Sequence, residues 1–259
     1  MEIKEKKIAR ILRRAGKMIL AADLSGGGVT QKGEDTANLV TVYDKSIQDY
    51  LEGALLRLYP EAQFMAEEQE NDPAVLAADC CFVIDPIDGT QNFVNSHPFY
   101  CISIALFYNG SPIAGSICAP ALGRLFYAEK GKGAFENGKK LSVSVCHTLD
   151  TASVATGFAE LRQNRPEPTL SRFCKIAPML RDVKRCGSAA IDLAFVAAGI
   201  YDGFWEEGLA LYDVGAGMLM VTEAGGVVCD FNGKNDVPGS GVIAASPELA
   251  VQIRSALQL

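Results

Sequence analysis

Histidine is almost absent from this sequence, since His97 and His147 are the only two among 259 residues. Imidazole is the commonest nitrogen ligand of zinc and iron sites, so a metal centre built on histidine is nearly excluded. The eight cysteines are dispersed, mostly within apolar runs, and none forms a CxxC pair, which argues against a thiolate site or a disulfide framework. Any metal must therefore be held by oxygen.

Basic charge is in deficit as well, with 24 lysines and arginines against 31 acids and a net charge of −7. This balance does not favour nucleic acid as a partner. Acids interrupt the most apolar region, so no uncharged stretch reaches the length of a membrane span. The basic N-terminal segment could be a targeting peptide, but its acids and its helical spacing of apolar residues favour an ordinary amphipathic helix. We expect a cytoplasmic protein without nucleic-acid or membrane partners.

What the sequence does contain is 49% hydrophobic residues, enough to bury a full core. The first half predicts two helices and then strands joined by hairpins at Asn109–Gly110 and Asn137–Gly138, which together form an antiparallel sheet. The second half alternates predicted strands and helices. We expect a single α/β domain over 1–259, with one lobe over about 1–150 and a second over about 151–259 that completes the site.

Acidic residues stand at the predicted ends of regular elements. Phe64–Ala66 and Cys80–Ile84 have the composition of short strands, and they run into Glu67 and Asp85. Asp213 stands at the predicted start of a later helix. Carboxylate oxygens are the ligands that hard cations prefer, so these acids predict a metal site with magnesium as the first candidate.

The segment 85–90, with the sequence DPIDGT, concentrates this chemistry. Its proline fixes a turn that lets the carboxylates of Asp85 and Asp88 face one pocket. Its glycine allows a ligand close to the backbone, and the free amides of a helix that begins at Thr90 would suit a phosphate. The spacing alone leaves open that the segment is a polar turn whose aspartates cap a helix, and that Asp213 is no more than an N-cap.

Three segments resemble the inositol monophosphatase family of metal-dependent, lithium-sensitive phosphatases: AEEQ at 66–69, VIDPIDGTQNF at 83–93 and RCGSAAIDLAFVAAGIYDGFWEEGLALYDVGAGMLMVTEAGGVV at 185–228. The resemblance implies a layered αβαβα sandwich of the inositol monophosphatase and fructose bisphosphatase type, and a homodimer. It also implies hydrolysis of a small phosphate monoester, with myo-inositol monophosphate as the reference substrate. Fructose bisphosphate, histidinol phosphate and phosphoadenosine phosphate remain alternatives. So does a regulatory member, because some bacterial members also bind the transcription machinery.

The resemblance also assigns roles to the acids. The groups that would hold Mg²⁺ are Glu67, Asp85 and the carbonyl of Ile87 for a first ion and Asp85, Asp88 and Asp213 for a second. Asp44 matches a further acid near a weaker third ion. The implied reaction is in-line attack of a metal-bound water, with Thr90 taking its proton through either Glu67 or Asp44.

The implied substrate contacts complete the site. They are Asp88, Gly89, Thr90, Gly187, Ser188, Ala189 and Glu206. Glu206 would bind substrate hydroxyls, although on its own it could be a solvated strand end. Three positions depart from the family pattern. Tyr212 replaces a tryptophan, Gln48 replaces an acid near the third ion, and Lys32 matches the family's lid lysine only approximately within the glycine-rich segment 25–38.

Overall fold

The computed structural model describes residues 2–22, 29–31, 39–162, 166–234 and 238–258. Most of the predicted lid segment, including Lys32, lies outside these ranges, so its role stays a prediction. The division into two lobes near residue 150 also stays a prediction. No helix within the described ranges has both the length and the apolar composition needed to cross a bilayer.

Seven strands form the first sheet, and their order in the sheet follows their order in the chain. A two-stranded antiparallel ribbon precedes it. The ribbon is β1 (Val29–Gln31) and β2 (Leu39–Thr41), and the sheet is β3 (Gln63–Ala66), β4 (Cys81–Asp88), β5 (Cys101–Tyr108), β6 (Ser111–Ala119), β7 (Arg124–Glu129), β8 (Gly133–Glu136) and β9 (Lys139–Lys140). Only β3 and β4 pair in parallel within this sheet. Both predicted hairpins are confirmed, with positive φ at Asn109, Gly110, Asn137 and Gly138 as a primed turn requires.

Five strands form the second sheet in the order β11-β10-β12-β14-β13. They are β10 (Ser153–Thr156), β11 (Asp182–Lys184), β12 (Gly203–Glu206), β13 (Val227–Cys229) and β14 (Val242–Ala245). The central strand β12 is parallel to β10 and antiparallel to β14, so this sheet is mixed. Strand β12 ends at Glu206, which lines the cleft described below.

Eight helices cover and separate the two sheets in the described part of the chain. They are α1 (Glu5–Leu20), α2 (Val42–Leu56), α3 (Thr90–Val94), α4 (Ala159–Arg162), α5 (Thr169–Ile176), α6 (Ala189–Ala197), α7 (Leu211–Glu223) and α8 (Pro247–Leu257). Helices α1 and α2 pack on the outer face of the first sheet, α6 and α7 lie between the sheets, and α5 and α8 pack beyond the second. The predicted αβαβα layering is confirmed.

The two helices between the sheets, α6 and α7, are rich in small and apolar residues. All nine residues of α6 are buried, as expected for a helix covered on every side. Helix α7 approaches α6 at Gly217, where an added Cβ would lie 2.5 Å from the Cβ of Leu193. This close approach explains the small residues of the segment VGAGM, which begins at Val214.

The Gly217→Ala variant should therefore be destabilised by roughly 1–3 kcal/mol, because two helix backbones would have to separate to admit one methyl group. Thermal unfolding should show a melting temperature lower by several degrees. Gly53→Ala is the matched control, since Gly53 is also helical and its Cβ would meet only the end of the Arg57 side chain at 3.8 Å. That variant should be neutral or slightly more stable. Equal melting temperatures for the two variants would contradict this account of the interlayer packing.

Two sequence predictions were wrong in detail, and three elements were not predicted. The predicted strand ending at Asp85 continues to Asp88, because the segment 85–88 is a bulge within β4 and not a turn after it. Helix α7 begins at Leu211, so Asp213 is its third residue and not its N-cap. Strand β11 and the short helices α4 and α5 were not predicted. Strand β11 has three residues and α4 has four, which is too few to show a periodicity, whereas α5 is amphipathic over its eight residues and was missed.

Candidate active site

The bulge in β4 brings two carboxylates to one side of the first sheet. Asp85 pairs with Ser103 and Asp88 with Cys101, so three steps along β4 match two steps along β5. In a regular strand, residues three apart point to opposite faces, and the one extra residue turns both to the same face. The amide of Ile87 donates to Asp85 Oδ1 at 3.0 Å and fixes the bulge.

Asp213 joins this pair from the second half of the chain. One carboxylate oxygen from each of Asp85, Asp88 and Asp213 lies within 4.8 Å of the others. Asp213 is held at the start of α7 by the amide of Ala210, which donates to its Oδ2 at 2.6 Å. A turn or cap function alone does not account for three convergent carboxylates in one cluster, so the structure argues against that alternative.

Burial and mutual repulsion change the protonation of this cluster. Burial, followed by the charges of Glu67 and Asp88, raises the pKa of Asp85 well above its usual range. Burial and the charge of Asp88 do the same to the pKa of Asp213. Three carboxylates held together without a cation repel one another, and an all-oxygen donor set of this kind fits a hard divalent cation. The residues present therefore fit Mg²⁺.

Glu67 and Asp44 approach the cluster from two other elements. Glu67 follows β3, and its amide donates to the carbonyl of Ile84 at 3.2 Å, which continues the ladder beside β4. Asp44 is fully buried in the first turn of α2. The Thr90 hydroxyl lies 3.4 Å from Asp44 Oδ1 and 3.1 Å from the Ile87 carbonyl oxygen. Thr90 thus connects the bulge with α2.

Gln48, which departs from the family pattern, has a structural role. It is fully buried, and its Oε1 accepts a hydrogen bond from the amide of Glu68 at 3.0 Å. Its Nε2 donates to Glu52 at 2.9 Å. Through these bonds α2 holds the chain directly after Glu67, so Gln48 positions a predicted ligand without adding a charge.

The N-terminus of α6 holds Asp88 from the opposite side. The hydroxyl of the N-cap residue Ser188 donates to Asp88 Oδ2 at 2.6 Å, and the amide of Ala190 donates to the same oxygen at 2.7 Å. The Asn92 side chain adds a second link, because its Nδ2 donates to the carbonyls of Phe99 at 2.6 Å and Cys186 at 2.8 Å. Asn92 lies within the family-like segment 83–93, but the sequence did not predict that it links α3 to the chain before α6.

Glu206, at the end of β12, is not a solvated strand end, because only 5% of it is exposed. The amide of Ala159 donates to its Oε1 at 3.2 Å. Gly157 lies directly beneath the carboxylate, and an added Cβ there would lie 2.2 Å from both of its oxygens. The Glu206 carboxylate is therefore tightly enclosed on this side.

A cleft of about 480 Å³ joins these groups. Its described lining residues include every predicted site residue except Asp44, which contacts the lining residue Thr90. Sequence reasoning missed two charged lining residues, Arg185 and Asp192. Arg185 stands two residues before the predicted Gly187, but nothing in its spacing distinguishes it. Asp192 is one of the acids that interrupt the most apolar region of the sequence, and nothing in that position indicates a site.

The chain is similar over almost its whole length to known proteins. The model of the inositol monophosphatase family matches residues 5–258. The chain is 36% identical to Nus factor SuhB of Pseudomonas aeruginosa, covering 91% of this chain and 88% of that protein. It is also 36% identical to inositol-1-monophosphatase of Mesorhizobium japonicum, covering 81% and 79%. The crystal structure of extragenic suppressor protein suhB from Bartonella henselae superposes with a TM-score of 0.90 at 33% identity, covering 98% of each chain.

Proposed function

This chain belongs to the inositol monophosphatase family, and from that premise we propose that it hydrolyses the phosphate monoester of a small polyol with Mg²⁺ as cofactor. The observation that carries the proposal is the convergence of Asp85, Asp88 and Asp213 within 4.8 Å in a cleft that also contains Thr90 and Glu206. myo-Inositol monophosphate is the first candidate substrate, in keeping with a relative named inositol-1-monophosphatase.

The donor set supports a proposed assignment of the metal ligands. Asp85, Asp88 and Asp213 would hold the cation most directly, and Glu67 and the Ile87 carbonyl lie in the same cleft to complete a second position. When bound, Mg²⁺ acts as a Lewis acid that lowers the pKa of water and offsets the negative charge of the phosphate. We expect two ions of this kind and a weaker third near Asp44.

Other groups of the protein would transfer the proton and bind the substrate. Thr90, 3.4 Å from the buried Asp44 carboxylate, is placed to pass a proton from the attacking water to that acid. The amides of Gly89 and Thr90 begin α3 and would support the phosphate oxygens. The opposing wall of the cleft is formed at the start of α6 by Gly187, Ser188 and Ala189. Glu206 lines the same cleft and would accept hydrogen bonds from substrate hydroxyls.

The charge of the cleft favours a substrate with one phosphate. Among the described residues that line it, Arg185 is the one cation, against six acids. A second phosphate away from the metal ions would need several cations to offset its charge. Fructose bisphosphate and phosphoadenosine phosphate therefore suit this cleft less well than a singly phosphorylated polyol.

A substrate panel tests the proposal. The purified protein with millimolar Mg²⁺ should release phosphate fastest from inositol 1-phosphate, and more slowly from fructose bisphosphate, histidinol phosphate and phosphoadenosine phosphate. Release from none of them would contradict the phosphatase function. Faster release from one of the alternatives would retain the chemistry and replace the substrate. Size-exclusion chromatography and lithium inhibition test the expected homodimer and the expected lithium sensitivity.

Mg²⁺ should also stabilise the protein in a pH-dependent way. Because burial raises the pKa of Asp85 and Asp213 above 3.8, their contribution to the stability of the metal-free protein is present at acid pH and is lost as the pH rises through the folded pKa values. Mg²⁺ must displace those protons, so its binding strengthens over the same range. Thermal unfolding should show a larger Mg²⁺-dependent increase at about pH 8 than at about pH 5. In Asp213→Asn most of that increase should disappear. A pH-independent increase would contradict this assignment.

A regulatory role alongside hydrolysis is a second proposal, supported by the relatives named Nus factor SuhB. A strongly cationic face is the structural observation in its favour, because α1 exposes a row of basic residues beside a groove of about 1060 Å³. These residues are Lys6, Arg10, Arg13, Arg14 and Lys17. In a protein of net charge −7, this face suits an acidic segment of the transcription machinery. Its lining residues differ from those of the cleft.

Direct binding to purified RNA polymerase tests this role. We expect salt-sensitive binding that Arg10→Glu with Arg13→Glu weakens, while phosphate release stays unchanged. Glu61→Lys, which alters an exposed acid elsewhere on the surface, serves as the control. Binding that is absent, or that the paired substitution leaves intact, would contradict the role of this face.

A further inference from the structure

A buried ion pair stands directly behind Glu206. Glu207 follows the last residue of β12 and is only 6% exposed. One of its carboxylate oxygens is ion-paired with the guanidinium of Arg172, and the other accepts a hydrogen bond from the Thr169 hydroxyl. Arg172 and Thr169 both belong to α5. The functions proposed so far use none of these three residues.

Arg172 is also held by the C-terminal part of the chain. Its Nε donates to the carbonyl of Leu257 at 3.1 Å, at the end of α8. Its guanidinium lies over the ring of Phe231, with Cζ 5.0 Å from the ring centroid. A planar guanidinium that contacts a carboxylate, a carbonyl and an aromatic ring has little freedom to move. Arg172 therefore fixes the end of β12 relative to α5 and α8.

Helix α5 also supports the segment 157–159, which encloses the Glu206 carboxylate. Phe158, in the middle of this segment, lines the cleft. Its ring packs edge-on against that of Phe173 in α5, with the ring centroids 5.3 Å apart and the planes at 71°. One helix thus contacts both the segment that encloses Glu206 and the residue that follows it, Glu207.

Stability alone does not explain why this pair is ionic. Burying two charges costs about as much as their attraction returns, and two apolar side chains in the same space often stabilise a protein at least as well. A buried arginine and carboxylate do supply a defined geometry, because they bond only in a narrow set of arrangements. Successive side chains of an extended segment point to opposite sides, so fixing Glu207 on the α5 side also fixes Glu206 on the cleft side.

We propose that Arg172 and Glu207 are positioning residues, whose ion pair holds the end of β12 so that the Glu206 carboxylate faces the hydroxyl groups of the substrate. This inference rests on the proposed phosphatase function and deepens it. It assigns part of the selectivity for a polyol to two residues that do not line the described cleft. Because the pair acts through Glu206, it should affect the binding of hydroxyl groups and leave the chemistry at the phosphate unchanged.

Comparison of two substrates tests the inference. Inositol 1-phosphate has hydroxyl groups beside its phosphate, and p-nitrophenyl phosphate has none. In Arg172→Met, the ratio of kcat/KM for inositol 1-phosphate to that for p-nitrophenyl phosphate should fall about fivefold or more, because the Glu206 carboxylate loses its fixed orientation. The fall should come mainly from a higher KM for inositol 1-phosphate.

A second variant removes the other member of the pair. Glu207→Gln keeps the shape of the side chain but removes the charge that pairs with Arg172, so the same ratio should fall in the same direction. If Arg172→Met is recovered unfolded, Glu207→Gln alone decides the result.

The ion pair between Arg124 and Glu136 provides the matched control. It is also a partly buried arginine–carboxylate pair, with contacts of 2.6 and 2.7 Å, and neither residue lines the described cleft. Glu136→Gln should lower the melting temperature, because it weakens a charge-assisted pair, and it should leave the substrate ratio unchanged. A similar fall of the ratio in this variant would overturn the inference, since any loss of stability would then produce it.

A double variant tests whether Glu207 acts through Glu206. Glu206→Gln alone should lower the substrate ratio, because it removes the charge that accepts hydrogen bonds from hydroxyl groups. Glu206→Gln with Glu207→Gln should give the same ratio as Glu206→Gln alone, since the second change would misplace a group already lost. A ratio that falls further in the double variant would overturn the inference.

The outcomes separate this inference from the proposed function. A wild-type protein that releases phosphate from neither ester overturns the proposed function and, with it, this inference. A wild-type protein active on both esters, with an unchanged ratio in the variants of the pair, overturns the inference alone. Equal losses on both esters also overturn it, because the pair would then support the whole site and not Glu206 in particular.

Discussion

The Asp213→Asn variant should lose about 10³-fold or more in kcat/KM while keeping its fold, and in the absence of Mg²⁺ it should be at least as stable as the wild type. The loss follows because Asp213 is one of three carboxylates converging within 4.8 Å, and an amide cannot supply the negative charge that a divalent cation needs. The stability follows because the substitution removes one of the charges that raise the pKa of Asp85.

The fold should survive because the side chain keeps its structural bond. The amide of Ala210 donates to Asp213 Oδ2 at 2.6 Å, and the carbonyl oxygen of an asparagine can accept the same bond. Circular dichroism and thermal unfolding without Mg²⁺ would check this, and phosphate release from inositol 1-phosphate would check the activity.

Asp230→Asn is the matched control, because Asp230 is an acid with the opposite role. It accepts hydrogen bonds from the amides of Asn232 at 2.9 Å and Lys234 at 2.7 Å and from the hydroxyl of Ser240 at 3.0 Å, and it lies outside the cleft. Its substitution should lower the melting temperature and leave turnover unchanged. Retained activity in Asp213→Asn would show that the metal assignment is wrong. A loss of stability in Asp213→Asn as large as that in Asp230→Asn would also contradict the assignment, because Asp213 would then have a structural role.

The local pattern of the sequence was sufficient for most of the fold. Strands with alternating apolar residues, the two Asn-Gly turns and the amphipathic helices could be predicted, because the pattern that identifies each of them lies within a few residues of the chain. Glu67 and Asp85 were predicted as metal ligands for the same reason, since each stands at the end of a predicted strand. The predicted helix start also made Asp213 a candidate ligand, and the resemblance to a family then assigned it to the same ion as Asp85 and Asp88.

The rest depended on packing between distant segments. The proline after Asp85 predicted a turn, but pairing with β5 kept the strand and converted the extra residue into a bulge. Asp192 lies within the apolar run of α6, and only the tertiary structure shows that it lines the cleft and that one of its oxygens is buried without a hydrogen-bond partner among the described residues. Such positions are specified by tertiary contacts, so sequence periodicity does not identify them.

The Thr90→Val variant should lose about 10²–10⁴-fold in kcat, because it removes the hydroxyl that lies between the bulge and Asp44 while keeping the shape of the side chain. Thr90→Ser is the matched control and should retain most of the activity, since a serine hydroxyl can reach the same two oxygens. Phosphate release at saturating inositol 1-phosphate measures both variants. Similar rates for the two variants would show that the hydroxyl does not act in the reaction.

The same variant can decide which acid receives the proton, a question that the resemblance left open between Glu67 and Asp44. If Thr90 and Asp44 act in one relay, removing either breaks the same step, and Thr90→Val with Asp44→Asn should be no slower than the slower single variant. If Glu67 receives the proton instead, the effects of Thr90→Val and Asp44→Asn should multiply, because they would disturb separate functions. The 3.4 Å contact between Thr90 Oγ1 and Asp44 Oδ1 favours the first result. A multiplicative loss would transfer the role of proton acceptor to Glu67 and leave Asp44 with the third ion.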